Sequence, residues 1–227
     1  MPSYQSTPEF AHGAPDTTGV LLVNLGTPDA PTSGAVRRFL KQFLWDPRVV
    51  ELPRPLWWLV LNGIILRIRP SRSAAAYREI WTDEGSPLFL YSSALADGLA
   101  KTLEQRAPGF FRVELGRSYG TPSISDAIDK LQRAGARRLL VLPLYPQYSG
   151  TTTASVFDFV TRKHGGMRCI PEMRFINQYH DAPEYIGALA ARIREYWEDH
   201  GRGADLMLSF RGVTIYWLVG GARDPCR

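Results

Sequence analysis

Residues Arg138–Ser155 read Arg-Leu-Leu-Val-Leu-Pro-Leu-Tyr-Pro-Gln-Tyr-Ser-Gly-Thr-Thr-Thr-Ala-Ser, and their character changes twice along this length. The first part, Leu139–Leu142, is an unbroken apolar run, which is typical of a strand buried on both faces of a parallel sheet. Pro143 and Pro146 have no amide hydrogen, so they end the strand ladder and start a loop. The hydroxyl-rich run Ser149–Thr153 then precedes an apolar pattern of helical spacing. The segment therefore predicts a strand, a loop and a helix in that order.

The hydroxyl groups of this loop have two interpretations. In open α/β sheets, ligands bind beyond the carboxyl ends of the strands, and the first turn of a helix offers free amides that can hold an anion. Serine and threonine are also common N-cap residues, and in that role they serve only the helix. The residues alone leave both interpretations open.

The same alternation runs through the rest of the chain. Four further runs are predicted strands: Gly19–Asn24, Arg112–Leu115, Met173–Ile176 and Leu206–Phe210. The first two break at loops that contain glycine and hydroxyl residues, Leu25–Asp29 and Gly116–Pro122. Strands that alternate with helices predict an α/β fold, a doubly wound parallel sheet with right-handed crossovers.

Predicted helices fill the segments between these strands, because apolar residues recur there at helical spacing. Thr32 and Ser123 are the expected N-caps of two of them. Other helical stretches are expected to start at Ser71 and to cover Leu88–Arg106 and Pro183–Trp197. The inner face of the last helix is expected to consist of Ile186, Leu189, Ala190 and Ile193.

The segment Leu52–Pro70 is the most apolar part of the chain and is too short to cross a membrane as a helix. It is flanked by Arg54, Arg67 and Arg69. Three interpretations fit such a segment: a core helix, a helix resting in a lipid interface, or the wall of a pocket for a large flat ligand.

Composition restricts the function further. The net charge of +5 is spread without a basic block, so it fits an acidic small molecule or an anionic membrane surface and gives no indication of nucleic-acid binding. Cys169 and Cys226 have neither disulfide-framework nor metal-site spacing, which favours a reducing compartment. Residues 1–18 predict a flexible tail. The absence of a signal-like or membrane-spanning run predicts a cytoplasmic protein.

Four motifs, in their order along the chain, resemble the ferrochelatases, which insert ferrous iron into a porphyrin in haem synthesis. They are Leu22–Pro28 (LVNLGTP), Tyr77–Arg78 leading to Gly85–Pro87, Tyr119–Pro122 (YGTP), and Leu144–Ser149 (LYPQYS). The resemblance covers about residues 19 to 213. It implies two similar Rossmann-like domains with the porphyrin in a cleft between them. The first would span 19–200 and carry a lip at 52–70, and 201–227 would begin the second.

The resemblance also implies roles for individual residues. Porphyrin-binding positions would be Leu25, Tyr77, Ser86, Tyr119, Tyr145, Ser149, Thr151 and Thr152. Aliphatic and aromatic faces suit a planar macrocycle, and hydroxyl groups suit its propionates. Residues 54–69 resemble the lip that covers the pocket and that contacts the membrane in some members. Ferrous iron is then a substrate and no cofactor is required. No iron–sulfur cluster is implied, since Gly150 stands where the animal enzymes have a cysteine.

The chain departs from the family pattern at Arg211, where the family has a histidine that binds metal or accepts a proton. A guanidinium stays protonated and has no lone pair to offer, so Arg211 is expected to be non-functional in that role. After Val213 the residues match the family poorly and most of its second domain is missing, so we expect the chain as written to be truncated and inactive. Among the histidines, only His180 has an adjacent acid, and its metal role competes with a capping or surface role.

By resemblance, then, the sequence predicts an enzyme of haem biosynthesis, a ferrochelatase-type lyase that acts on a dicarboxylate porphyrin and ferrous iron. One alternative is a flavodoxin-like protein that binds flavin or phosphate through Ser149–Thr153. Another is a porphyrin-binding remnant without catalysis, which Arg211 would favour. The sequence does not distinguish protoporphyrin from coproporphyrin.

Overall fold

The structure, a computed structural model, describes Tyr4 and residues 17–208. Four parallel strands form one sheet in the order β2-β1-β3-β4. Their bounds are Thr17–Asn24 for β1, Phe111–Arg117 for β2, Ala136–Pro143 for β3 and Glu172–Phe175 for β4. The predicted α/β class with a parallel sheet is confirmed. Strand β3 ends at Pro143, the first of the two prolines that were expected to end it.

Helices connect the strands. They are α1 (Ser33–Trp45), α2 (Arg54–Val60), a π-helical turn (Leu61–Ile65), α3 (Leu66–Ile80), α4 (Pro87–Arg106), α5 (Ile124–Arg133), α6 (Thr153–Gly165) and α7 (Pro183–His200). Both predicted N-caps are present. Thr32 accepts a hydrogen bond from the amide of Ala35 at the start of α1, and Ser123 and Asp126 form a capping box at the start of α5.

Side chains of β1 alternate between the two faces of the sheet, as the period of a strand requires. Leu21 and Val23 pack in one cluster with buried residues of α5 and α6. Val20 and Leu22 pack in another with Ala96 of α4. Helices therefore cover both faces of the sheet, which is the doubly wound arrangement.

A third cluster lies among α1, α2, the π-helical turn and α3, and it includes Tyr119 from the loop after β2. Within it, Leu61, Leu66, Pro70 and Ala74 are buried. Leu61 and Leu66 are five residues apart, which is the hydrogen-bond spacing of a π-helix, so these four buried residues form a stripe on one side of the helical segment. The helix start predicted at Ser71 is wrong, because α3 runs without a break from Leu66 to Ile80. Burial of the stripe outweighs the amide bond that Pro70 cannot make.

The predicted tail also needs correction at its end. Thr17 and Thr18 belong to β1, where Thr18 pairs with Phe111 of β2 and Thr17 with Ala136 of β3. Two neighbouring strands thus extend the sheet past the apolar run on which the prediction rested. The remainder of the predicted tail, apart from Tyr4, lies outside the described residues.

The chain divides into two compact units, and the second begins at Tyr179. Its described part contains α7, which has no buried residue, and the expected inner-face residues Ile186 and Leu189 are about half exposed. The predicted inner face is therefore wrong. Leu206–Leu208 are exposed and form no strand, because no described segment pairs with them, and the last two residues of that predicted strand are outside the described part. Across 17–208, no helix is both long and apolar enough to span a bilayer.

Candidate functional site

The loops that follow β1, β2 and β3 meet at one edge of the sheet, because parallel strands end on the same side. Leu25, Tyr119 and Tyr145 lie in these loops, within two residues of the strand ends. The amide of Tyr119 donates to the carbonyl of Leu25 at 3.0 Å, and the amide of Leu144 donates to that of Val23 at 2.7 Å. Backbone bonds thus connect the β1 loop to both of its neighbours.

Gly26 permits this close approach. Its φ is 101°, a conformation that favours glycine, and a Cβ placed there would lie 1.9 Å from the carbonyl oxygen of Tyr119. Any side chain at this position would push the β1 and β2 loops apart. The glycine of the motif Leu22–Pro28 therefore sets the spacing between two of the strand-end loops.

The aliphatic and aromatic residues predicted for a ligand pocket have different surroundings. Leu25 and Tyr77 are half-buried and pack against the helical cluster that contains Tyr119. Burial raises the pKa of the Tyr77 phenol. Tyr145 packs against the core cluster on the α5 and α6 side of the sheet. Leu25 and Tyr77 thus keep part of their surface open to a ligand.

Tyr119 is a core residue in this structure, with only 2% of its surface exposed. Its ring makes edge contacts with Phe39, Phe43 and Phe159. Its hydroxyl donates to the carboxylate of Asp46 at 2.7 Å. Burial, more than any other factor, raises the pKa of this phenol far above its ordinary value. Both the ring and the hydroxyl of Tyr119 are therefore occupied by the protein itself.

The hydroxyl of Tyr145, in contrast, is buried and makes no hydrogen bond. Burial raises the pKa of the Tyr145 phenol, and Ser118 lies close enough to lower it somewhat without reaching hydrogen-bond geometry. A buried donor without a partner is costly. This phenol is thus available to a ligand or a water molecule at the end of β3.

The hydroxyl-rich loop before α6 is held by Ser149. Its hydroxyl lies 3.0 Å from that of Thr151, and its carbonyl accepts the amides of Thr152 and Ala154. Thr152 is the N-cap residue, but its side chain makes no capping bond. Of the two interpretations left open for these hydroxyls, capping does not apply to Thr152, because the Ser149 carbonyl accepts the first amides of the turn instead. The hydroxyl of Thr153 is fully buried without a partner.

Ser86 is the N-cap of α4 and is buried, with 6% of its surface exposed. Its carbonyl accepts the amides of Phe89 and Leu90, while its side chain makes no capping bond. The hydroxyl of Ser86 is therefore not committed to its own helix.

Sequence reasoning missed a polar network that joins the α1–α2 connection to α6. Asp46 accepts hydrogen bonds from the hydroxyls of Tyr119 and Ser155, and from the amide of Arg48 at 2.8 Å. Arg48 forms a two-point bond to Asp158, with distances of 2.7 and 2.9 Å. That bond raises the pKa of Arg48 and lowers that of Asp158. No sequence signal links these residues, since their partners lie 73 to 110 positions away.

The lip predicted at 52–70 is anchored at its start. Trp57 donates its indole N–H to the carbonyl of Leu44 at 2.7 Å, and Arg54 donates to the carbonyl of Trp45 at 3.0 Å. The outer side of the lip is apolar and more than half exposed at Leu56, Trp58, Leu59, Ile64 and Ile68. Among the three interpretations of this segment, a wholly buried core helix is excluded.

A cavity of about 810 Å³ opens beside the strand-end loops. Its walls come from the end of α1, the start of α5 and the exposed side of α6, and they include four cations and two acids: Arg54, Arg117, Arg162, Lys163, Asp46 and Asp158. Of the residues predicted to bind porphyrin, Tyr119 lines this cavity. The others lie at the strand-end loops or on the neighbouring helices α3 and α4.

Metal ligation has little support in the described part of the chain, where no three residues of metal-binding type come together. His180 is exposed, in a turn of the second unit. Arg211 lies outside the described residues.

Comparisons with known proteins agree on one family. A sequence model of ferrochelatase matches residues 17–218. A ferrochelatase of Thioalkalivibrio sulfidiphilus is 53% identical over 219 residues, covering 96% of this chain and 59% of the relative. One of Marinobacter nauticus is 49% identical over 222 residues, covering 98% and 60%, and one of a Polaromonas species is 52% identical over 227 residues, covering 98% and 61%.

The chain thus spans about three-fifths of the length of the curated relatives that it matches. The match nevertheless runs through all four strands and through every motif on which the resemblance rested. The chain belongs to the ferrochelatase family.

Proposed function

We propose that the protein inserts ferrous iron into a dicarboxylate porphyrin, the reaction of the family to which its chain belongs. The observation that carries this proposal is the meeting of Leu25, Tyr119 and Tyr145 at the carboxyl edge of the sheet. Ligands of open α/β sheets bind at this edge. The comparisons do not favour the flavin-binding alternative.

In this proposal the half-buried faces of Leu25 and Tyr77 contact the flat macrocycle. The Tyr145 hydroxyl, which has no partner, donates to a polar atom of the substrate. Tyr119 is buried beneath the binding surface, and its backbone hydrogen bond holds the loop after β2 against Leu25. Dispersed apolar contact and a few hydrogen bonds are the usual means of binding a large planar ligand.

The propionates would be bound by hydroxyl groups that the fold leaves uncommitted. Ser86 and Thr152 are N-cap residues whose side chains make no capping bond. Ser149 and Thr151 contact each other in the same loop as Thr152. Such hydroxyls can donate to a carboxylate without carrying a charge of their own.

Insertion releases two pyrrole protons as Fe²⁺ enters the ring, so the reaction needs a base. The family's histidine would accept a proton or bind the metal, and Arg211 can do neither. For a polypeptide of these 227 residues we therefore propose porphyrin binding without turnover. A metal role for His180 remains a weaker proposal, because with Asp181 it belongs to no group of three or more metal-binding residues among those described.

The domain organisation follows the same proposal. Residues 19–200 would form the first chelatase domain and 201–227 the start of the second, with the porphyrin between the two. Ferrous iron is a substrate, and no other cofactor or nucleic acid takes part. We propose a cytoplasmic location with peripheral membrane contact through 54–69. Its support is the exposed apolar side of the lip, flanked by the exposed Arg67 and Arg69.

Absorption spectroscopy tests the porphyrin proposal. The purified chain is titrated into protoporphyrin and the Soret band is followed. We expect a shift that saturates, and we expect Leu25→Glu to weaken binding about tenfold or more, because a carboxylate would face the macrocycle. Tyr91→Phe is the matched control, since Tyr91 is exposed on α4. An unchanged Soret band with the parent chain, or a purified protein that carries flavin absorption, would contradict the proposal.

Vesicle sedimentation tests the membrane contact. We expect the chain to co-sediment with vesicles that contain anionic lipid and Trp58→Ser to reduce the bound fraction several-fold. Trp57→Phe is a control, because Trp57 is buried and faces the protein. Equal binding by Trp58→Ser and the parent chain would argue against the lip as the contact.

A further inference from the structure

Arg117, the last residue of β2, is a buried cation whose Nε has no hydrogen-bond acceptor. Only 8% of its surface is exposed, and its Nε makes no hydrogen bond. Its guanidinium lies over the ring of Phe89, 4.7 Å from the ring centre. Asp29 is the acid that acts on it electrostatically, but that acid is exposed and contacts Arg38 at 3.5 Å. A buried charge without a partner is strongly unfavourable. Arg117 therefore requires an anion, and the described residues do not supply one.

Arg117 lines the 810 Å³ cavity, and the acids of that cavity are already engaged. Asp46 accepts from Tyr119 and Ser155, and Asp158 is held by both arms of Arg48. Neither carboxylate is therefore available to neutralise Arg117.

Two further arginines of the cavity wall add to the positive charge. Arg162 lies over the ring of Phe159 at 5.5 Å, and Arg54 over the ring of Trp45 at 5.1 Å. A guanidinium stacked in this way keeps hydrogen-bond donors at its edge for an anion. Lys163 also lines the wall, and its ammonium group is already 2.6 Å from Asp129.

The first turn of α5 forms another part of the wall. Ser123 and Asp126 satisfy each other there, the Ile124 amide faces the Arg117 carbonyl in an isolated parallel bridge, and the Ser125 amide, as the second of the helix, has no acceptor within α5. Amides at the start of a ten-residue helix favour an anion, because its dipole is positive at this end. Two independent features, the helix start and the buried Arg117, thus line the same cavity.

We propose that this cavity binds an oxyanion, a carboxylate or phosphate group on an organic body, with Arg117 as its principal cation. The cavity is much larger than a free phosphate ion, and its aromatic walls at Trp45 and Phe159 provide contact for an organic body. The inference goes beyond the proposed function, because it requires neither iron nor chelation. Two sources supply the same chemistry: a separate small carboxylate or phosphate compound, or a propionate of the porphyrin itself.

Isothermal titration calorimetry of the 227-residue chain with citrate and with inorganic phosphate at low ionic strength tests the site. We expect citrate to bind and to raise the thermal midpoint, with phosphate weaker. Arg117→Met removes the charge but keeps bulk over Phe89, and we expect it to weaken citrate at least about tenfold, as loss of a desolvated charge pair does. Arg117→Lys should retain part of the affinity. Arg37→Gln, an exposed position on α1 outside the cavity, is the control.

Arg162→Gln keeps the test decisive if Arg117→Met does not fold, because Arg162 is exposed and its loss leaves the core intact. We expect it to weaken citrate about threefold or more. The proposal is overturned if the parent chain binds neither anion at 10 mM, roughly the weakest affinity of interest here. It is equally overturned if the folded Arg117 or Arg162 variants bind citrate as the parent chain does.

Competition identifies the source of the anion. Saturating protoporphyrin is added to the parent chain and to the double variant of Arg37→Gln and Leu25→Glu, in which Leu25→Glu blocks porphyrin binding. If protoporphyrin abolishes the citrate heat in the parent chain but not in the double variant, the site receives a porphyrin carboxylate. If citrate binds equally with and without porphyrin, the site serves a separate compound. Both results support an oxyanion site. Failure of the porphyrin proposal would show as an unchanged Soret band, while the citrate titration would be unaffected.

Discussion

Replacing Asp46 by alanine should strongly destabilise the first unit. The carboxylate accepts from two buried hydroxyls, those of Tyr119 and Ser155, and from the amide of Arg48. Alanine removes this acceptor and leaves the two hydroxyls only each other, at a distance of 3.3 Å. An unsatisfied buried donor costs about 1–3 kcal/mol, so we expect the free energy of unfolding to fall by about 2–4 kcal/mol.

Urea unfolding followed by circular dichroism measures this loss. Asp29→Ala is the matched control, because that carboxylate is exposed and its contacts with Arg38 and with the Thr121 hydroxyl are both long, at 3.5 Å. Such a surface pair contributes about 0–1 kcal/mol. The slope of the transition with urea should stay the same in both variants if only the folded state has changed.

A double-mutant cycle with Tyr119→Phe separates the network from other effects of the alanine. Phenylalanine keeps the edge contacts with Phe39, Phe43 and Phe159 and removes only the hydroxyl. It should cost about 1 kcal/mol alone and close to nothing when Asp46 is already alanine. Additive losses, or an Asp46→Ala variant within about 0.5 kcal/mol of the parent chain, would refute the assignment of Asp46 as the centre of this network.

Three further predictions rest on single contacts. Arg48 lowers the pKa of Asp158 in the folded chain, so this acid stabilises the fold at pH values above its ordinary pKa of about 3.9. The stabilisation is lost as the pH falls through the pKa of the folded state. Asp158→Asn should therefore make the stability of the chain depend less on pH in the acid range, and an unchanged acid transition would contradict this. Gly26→Ala should lower the thermal midpoint sharply, because its Cβ would meet the Tyr119 carbonyl at 1.9 Å, whereas Gly34→Ala, where space is open, should not. Anaerobic assay with ferrous iron and protoporphyrin should show no turnover by the 227 residues, with or without Arg211→His; turnover near that of an intact relative would refute it.

Local signals in the sequence predicted those parts of the fold whose cause lies within a few residues. Pro143 ends β3 because a proline cannot donate to the ladder, and Thr32 and Ser123 start helices because a side-chain oxygen reaches an amide three residues on. The strand-end positions of Leu25 and Tyr145 followed from the same reasoning. Each of these predictions needed no knowledge of the tertiary structure.

The failures have a common physical cause, which is packing over long sequence separation. The helix through Pro70 persists because Leu61, Leu66 and Ala74 are buried on the same side, and a local rule for proline does not include that gain. The two-point bond between Arg48 and Asp158 joins residues 110 positions apart, and no neighbouring residue in the sequence indicates this pairing. Apolar spacing in α7 predicted an inner face that is wrong, because spacing alone does not show whether another surface covers the residues.

The loop before α6 shows how the structure changes the balance between the two interpretations of its hydroxyls. If they served only as caps, Thr152 would bond to an amide of its own helix, and it does not. The Ser149 carbonyl performs the capping, while the buried hydroxyl of Thr153 has no partner and that of Tyr145 has only Ser118 nearby. Unpaired buried donors are rare in folded proteins unless a water or ligand meets them. The same fold that caps α6 through its backbone therefore leaves the Thr152 hydroxyl uncommitted to the helix, which favours a polar ligand group at this edge of the sheet.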